Sequence, residues 1–435
     1  MGSFINPRSQ HCLKSELDLF GVKPTQVSVE HSQWVEYLPL STLTDSGPVE
    51  FLISGTGEDY IDLANTMLLC TARITNADGS ELANDAAVAP VNYWLHSLWG
   101  QVDLSLNNKT VTPSSNTYPY RAYLETLLSF GEEAKRSQLT SSLWAKDAAG
   151  QHDTIANANG GFRLRKQLSA GSRAVEMIGK LHLDMMFQNR YLLNGVDVKV
   201  RLSRSKDAFS LMAAQDAEFR INIRDVRLYA RKVHPSAPVL MGHIKALQRG
   251  TAKYPITRGE IKVFSVPRGD LSTNQEGLIR GQIPKRIVIG FVDNDAYNGA
   301  YHKNPFNFKH LNVNFLALYQ DGRMIPGKAL QPDYANRRYI RSFLTMFSGT
   351  GTFFENSGNG IDVADYSRGF TLYCFDLTPD QSDLASFDLV RHGNVRLTAN
   401  FSAPLDSSVN IVVYSEYENI IEIDRHRNVI FDFAA

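Results

Sequence analysis

The chain has 435 residues, 43% hydrophobic and 21% charged, and its 45 basic residues balance 45 acidic ones. Neutralising phosphate needs a surplus of Lys and Arg, so zero net charge excludes a protein whose main task is coating nucleic acid. No stretch approaches the roughly 18 unbroken apolar residues of a membrane span, and at about 150 residues per domain the length predicts two or three domains, or two larger β domains.

Residues 1–25 mix Arg8, Lys14 and Lys23 with Glu16 and Asp18 and read as an N-terminal arm that is not polybasic. Beyond it the dominant hydrophobic period is two. Apolar residues alternate in Val196-Asp197-Val198-Lys199-Val200-Arg201-Leu202, in Phe219-Arg220-Ile221-Asn222-Ile223, in Val395-Arg396-Leu397 and in Val409-Asn410-Ile411. Such alternation puts one strand face in a core and the other toward water or a neighbouring subunit. Further strands are predicted at residues 67–74, 98–106, 261–266, 286–292, 311–319 and 370–376. Turn signals lie between them at Asn76-Ala77-Asp78-Gly79, Asn107-Asn108, Asn194-Gly195, Asp321-Gly322 and His392-Gly393. Helical spacing is confined to residues 119–130 and 339–347, with a short helix at 240–247. The fold class is therefore all-β, with a few short helices in loops.

The order of elements occurs twice. In the first half a strand at 98–106 leads through Asn107-Asn108 to Val111-Thr112-Pro113, a helix at 119–130, and a Gly/Ala/Asn-rich loop. Strands around 181–186, after Asn194-Gly195, and from 219 to 233 then follow. The second half repeats this with 311–319, Asp321-Gly322, Met324-Ile325-Pro326, a helix at 339–347, the loop 348–360, and strands at 370–376, after His392-Gly393, and from 409 to 423. Two sandwiches of one topology account for the repeat. Pro235, Pro238, Gly242, Gly250 and Pro255 break regular structure between the halves. The predicted division is an arm at 1–25, a first sandwich at 26–235, a linker at 236–256, and a second sandwich with a C-terminal strand and tail at 257–435. The arm and the loops near 145–172 and 348–365 are expected to adapt to neighbours.

Chemistry-bearing motifs are sparse. Cys12, Cys70 and Cys374 are odd in number and read as free thiols in a reducing compartment. The eleven histidines form no HxxxH or HExxH pattern, so no metal site is expected from spacing. Oxygen-rich runs at Glu355 to Asp362 with Asp365, and at Asp293-Asn294-Asp295, could hold calcium but fit no EF-hand and read better as exposed loops. No Ser–His–Asp, Cys–His or paired-carboxylate set is defensible, so no catalytic or cofactor-binding residue is assigned. The one sharp motif is Arg268-Gly269-Asp270, whose guanidinium and carboxylate, projected from a tight turn, suit receptor binding; Gly-Asp is also ordinary turn chemistry.

Several longer runs resemble a known family. They are Ser114-Ser115-Asn116-Thr117-Tyr118-Pro119-Tyr120-Arg121-Ala122-Tyr123 with Glu125, and Gly57-Glu58-Asp59-Tyr60-Ile61-Asp62-Leu63. Val292-Asp293-Asn294-Asp295-Ala296 with Lys303-Asn304-Pro305-Phe306-Asn307-Phe308, and Ile421-Glu422-Ile423-Asp424-Arg425, belong with them. From about residue 16 onward the chain resembles the major capsid proteins of Polinton (Maverick) elements and adintoviruses. The resemblance implies a double jelly roll, three copies of which make a hexon-like, pseudo-hexagonal capsomer tiling an icosahedral DNA-virus shell. It also implies penton and minor capsid proteins as partners, no enzymatic activity, and location in the virion after synthesis in the host cytoplasm and assembly in the nucleus. Two other readings remain: a minor or vertex capsid protein, which the duplication opposes, and a jelly-roll carbohydrate-binding protein.

Overall fold

The computed structural model describes residues 5–44, 47–381 and 386–432, so the first four residues of the expected arm lie outside it. Eight strands of the first half build its two main sheets: β1 Val29–Tyr37, β2 Val49–Ile53, β3 Tyr60–Asn76, β4 Trp99–Leu106, β5 Lys109–Thr110, β6 Val175–Lys180, β7 Val198–Arg204 and β8 Phe219–Pro235, with the short pair Ala89–Pro90 and Leu211–Met212 beside them. The eight pair antiparallel in the orders β1-β8-β3-β6 and β2-β7-β4-β5. In β7, Val198, Val200 and Leu202 point inward and Lys199, Arg201 and Ser203 do not, as the alternating sequence requires.

The second half repeats the plan. Its strands are β9 Ala252–Val266, β10 Ser272–Gln282, β11 Arg286–Asp293, β12 Val313–Gln320, β13 Arg323–Leu330, β14 Leu372–Asp376, β15 His392–Phe401 and β16 Val409–Ile423. The sheets run β9-β16-β11-β14 and β10-β15-β12-β13, so each strand has its counterpart eight strands earlier. A sandwich in which first pairs with last and second with seventh is a jelly roll. The fold is a double jelly roll. A short strand, β17 Val429–Ile430, adds to β16.

The longer helices sit in the connections: α1 Tyr118–Ser129, α2 Gly160–Ser169, α3 Ala237–Leu247 and α4 Ile340–Ser348. Helices α1 and α4 occupy the same place in the two halves, between the fifth and sixth strands. Helix α3 lies between β8 and β9.

Three differences from the sequence expectations have physical causes. The sixth strand of the first half is β6, not residues 181–186; there Leu181, Leu183, Met185 and Met186 are buried in a loop that ends in a 3₁₀ turn. Helix α2 falls inside the loop expected to be adaptable. Asn159 starts it by accepting from the Phe162 N–H, and the loop buries Trp144, Asp147, His152 and Arg165. In β16 the alternation gives way to burial on both faces, with Asn410, Ile411, Val412, Val413 and Tyr414 all inside. One face of β16 meets the second core; Val412, Tyr414, Ile421 and Ile423 join the core shared with the first jelly roll. The same double burial makes β11 a nearly continuous apolar run.

Gly290 of β11 is required by that packing. A Cβ there would lie 2.5 Å from Phe308 Cδ1 and 2.8 Å from Leu372 Cδ2. Gly290→Ala is expected to destabilise the fold by roughly 1–3 kcal/mol, the usual cost of overpacking, read as a lower urea midpoint; an unchanged midpoint would show that Phe308 has slack.

Candidate functional site

Helix α1 stands at the seam between the jelly rolls. Pro119 in the first turn suits a helix start, because its missing N–H would lack a partner there anyway. The helix is buried nearly all round, unlike a surface helix with one apolar stripe. The Tyr123 ring stacks on Phe306 from the second half, with centroids 4.2 Å apart and planes 1° from parallel. Tyr120 meets the same Phe306 edge-on at 5.8 Å.

The polar side of α1 crosses the seam as well. Arg121 donates from Nε to Glu125 Oε1 at 2.8 Å, from Nη2 to Asp184 Oδ1 at 2.6 Å, and from Nη1 to the Gly259 carbonyl of β9 at 3.3 Å. The Gly259 N–H donates back to Asp184 Oδ1 at 3.1 Å, and the Tyr414 hydroxyl of β16 donates to Glu125 Oε1 at 3.0 Å. His182 Nδ1 lies 2.6 Å from Glu125 Oε2. A Cβ on residue 259 would stand 3.1 Å from the Arg121 guanidinium, so glycine lets the strand backbone reach it.

A second joint lies beside the first. Fully buried Arg165 holds Asp147 Oδ1 at 2.6 Å, and Asn304 of the second half donates to Asp147 Oδ2 at 3.0 Å. Lys146 reaches Asp365 Oδ2 and the Gly360 carbonyl, each at 2.6 Å.

Burial would raise the Glu125 carboxyl, but Arg121 and His182 overcome it and hold the group at about 2. Burial dominates at Asp184, whose Oδ2 has no hydrogen-bond partner, and its carboxyl is pushed upward despite Arg121. The cluster resembles a catalytic relay in composition, and its polar groups are spent on one another across the seam. The cavity beside it, lined by Gln101, Tyr118, Arg121, His182 and Gly259, measures about 20 Å³, room for about one water molecule and no substrate.

Two of the runs that carry the resemblance meet here. Tyr118 to Glu125 forms one wall of the seam and Asn304 to Phe308 the other. Sequence reading missed Asp184, His182 and Gly259, which carry no local pattern and become partners only through the fold. Of the oxygen-rich runs, Asp365 pairs with Lys146, Asp362 caps a short helix, and Asp293 pairs with Lys303 and Lys309. Lysine thus supplies the positive charge there. Arg268-Gly269-Asp270 forms the turn between β9 and β10, with Gly269 at φ +89° and Arg268 exposed. Its backbone is bonded to the β15–β16 loop through Leu405, at 2.9 and 3.1 Å. Cys12 is exposed and free; Cys70 and Cys374 are free and buried, one in each half, and burial pushes the Cys70 thiol up to about 12. No helix among the described residues is long and apolar enough to cross a membrane.

No family model matches the chain. It is 28% identical over 423 residues to an uncharacterized protein of Caenorhabditis elegans, covering 94% of this chain and 99% of that protein. Among solved structures it is similar to a chain of the Sputnik virophage, with a TM-score of 0.66 at 10% identity over 100% of this chain and 95% of that one. A chain of the PBCV-1 virus capsid gives 0.62 at 9% identity, covering 96% of this chain and 100% of that one. The mavirus major capsid protein gives 0.55 at 13% identity, covering 99% and 95%. The double jelly roll is shared with viral capsid proteins.

Removing Arg121 would strand two buried carboxylates. Arg121→Met is expected to cost roughly 3–5 kcal/mol, measured by urea unfolding; a loss under about 1 kcal/mol, the worth of an exposed pair, would contradict the seam. Glu125 titrates lower in the fold than its ordinary 4.5, so its stabilisation is complete above that pH and is lost as pH falls toward about 2. The acid loss of stability is expected to be shallower in Glu125→Gln, and identical slopes in the two proteins would refute this assignment.

Proposed function

We propose that the chain is a non-enzymatic major capsid protein of the Polinton and adintovirus kind, acting by packing with copies of itself. The observation that carries this reading is the duplicated jelly roll with a buried, ion-paired seam. Two like sandwiches held in one fixed orientation give each chain two equivalent walls, and three chains then supply the six walls of a pseudo-hexagonal capsomer. Many modest contacts, multiplied over a lattice, hold such a shell together. Zero net charge suits it, because strongly like-charged capsomers repel. The reading divides the chain at the linker 236–256 and locates it in virions, made in the cytoplasm, assembled in the nucleus and completed by penton and minor proteins.

The described part of the arm is exposed and carries Leu17, Leu19, Phe20 and Val22 on its surface. An apolar extended segment of this kind favours contact with a neighbouring capsomer. The turn Arg268-Gly269-Asp270 supports a second role in attachment to a receptor, because it stands at the surface with glycine in the left-handed region.

The purified chain is expected to sediment, and to weigh in native mass spectrometry, as a stable trimer; a monomer at all concentrations would overturn the proposal. Asp270→Glu lengthens the carboxylate side chain without changing charge and is expected to lower cell attachment of assembled particles. Unchanged attachment disposes of the receptor role.

A further inference from the structure

The end of the first jelly roll from which the arm departs gathers a set of groups that the shell proposal does not use. His31 of β1 and His234 of β8 are cross-strand partners beside an irregularity in the ladder, and their rings stack 4.8 Å apart. Asp59, just before β3, places Oδ1 2.9 Å from His234 Nδ1. The donor atoms of His31, Asp59 and His234 all lie within 4.8 Å of one another. Glu58 brings a further carboxylate to 3.9 Å from His234 Nε2. We propose that His31, Asp59 and His234 form a binding site for a zinc-class divalent cation, which fastens strand β1 and the arm to the sheet.

Two imidazoles and a carboxylate are the donor set of borderline cations such as zinc, and a poor set for calcium, which takes oxygen alone. Two ligands each about 2 Å from one ion, at roughly 90–110°, stand about 2.9–3.3 Å apart; the His234–Asp59 spacing already meets this. His31 is exposed, so its ring is free to turn its edge inward, and the exposed side admits the ion. Local charge also favours a cation: Glu30, Glu58 and Asp59 all act on His234, while the nearby Arg231 faces Asp62 at 3.5 Å. Strand β1 pairs along one edge only, with β8, and most of its residues are exposed. A tie at His31 would hold it beside the irregularity in the ladder. Spacing along the chain could not show this, because the three ligands come from β1, from β8 and from the residue just before β3.

The test titrates the full-length protein, freed of metal by a chelator, with zinc chloride by calorimetry and with cobalt by visible absorption. One site per chain is expected, with the tetrahedral cobalt spectrum and a higher unfolding temperature in zinc. His31→Ala, His31→Gln, His234→Ala and Asp59→Asn are each expected to weaken binding at least about tenfold, while His426→Ala leaves it unchanged. Circular dichroism of the metal-free variants separates a lost ligand from a lost fold; His31, being exposed, is the position least able to disturb folding. No saturable binding up to about 1 mM, or equal affinity in the His31 variants, overturns the site. The readout needs no assembly, so it stands or falls apart from the shell proposal.

Discussion

The structure depends on how helix α1 is buried. A helix standing between two sandwiches must satisfy apolar packing on one side and charge on the other. The Tyr123–Phe306 stack and the Arg121 guanidinium do both within one helical turn. Because Arg121 donates to a carbonyl of β9, and Gly259 and Tyr414 of the second half donate back to Asp184 and Glu125, sliding one jelly roll past the other would break buried hydrogen bonds. Orientation is therefore specified, and a building block whose two walls must meet the same lattice needs that.

The C-terminal segment reinforces the arrangement at another place. Arg427 donates to the Asn194 carbonyl at 2.6 Å, Asn107 to the Arg427 carbonyl at 2.9 Å, and Lys109 to the Val429 carbonyl at 3.1 Å. The turns Asn107-Asn108 and Asn194-Gly195 thus serve twice. The first joins β4 to β5 and the second leads into β7, and both receive the tail of the second jelly roll.

Much of this architecture was legible in the sequence because strands buried on one face write their burial as alternation. Strand β7 shows it at Val198, Val200 and Leu202, and the repeated order of hairpin, helix and loop exposed the duplication. Three kinds of feature were not legible. The edge strand β1 has an exposed, mixed surface with no apolar period, and β10 is polar with an interrupted register. Strands β11 and β16 were expected as strands at 286–292 and 409–423, but their burial on both faces was not legible, because it depends on a second sandwich packing against them. The seam and the His31–Asp59–His234 group are assembled from distant residues, and a single chain records no proximity. Helix α2 had a readable start at Asn159, obscured by the glycines that follow it.

The account rests on the claim that one chain presents two jelly rolls as a rigid pair, suited to threefold assembly. Cryo-electron microscopy of the purified protein tests it most directly. The expected result is a ring of six similar upright β-sandwiches with threefold symmetry, each chain contributing a pair joined at α1. Particles whose two sandwiches vary in relative angle, or that show no threefold ring, would contradict it.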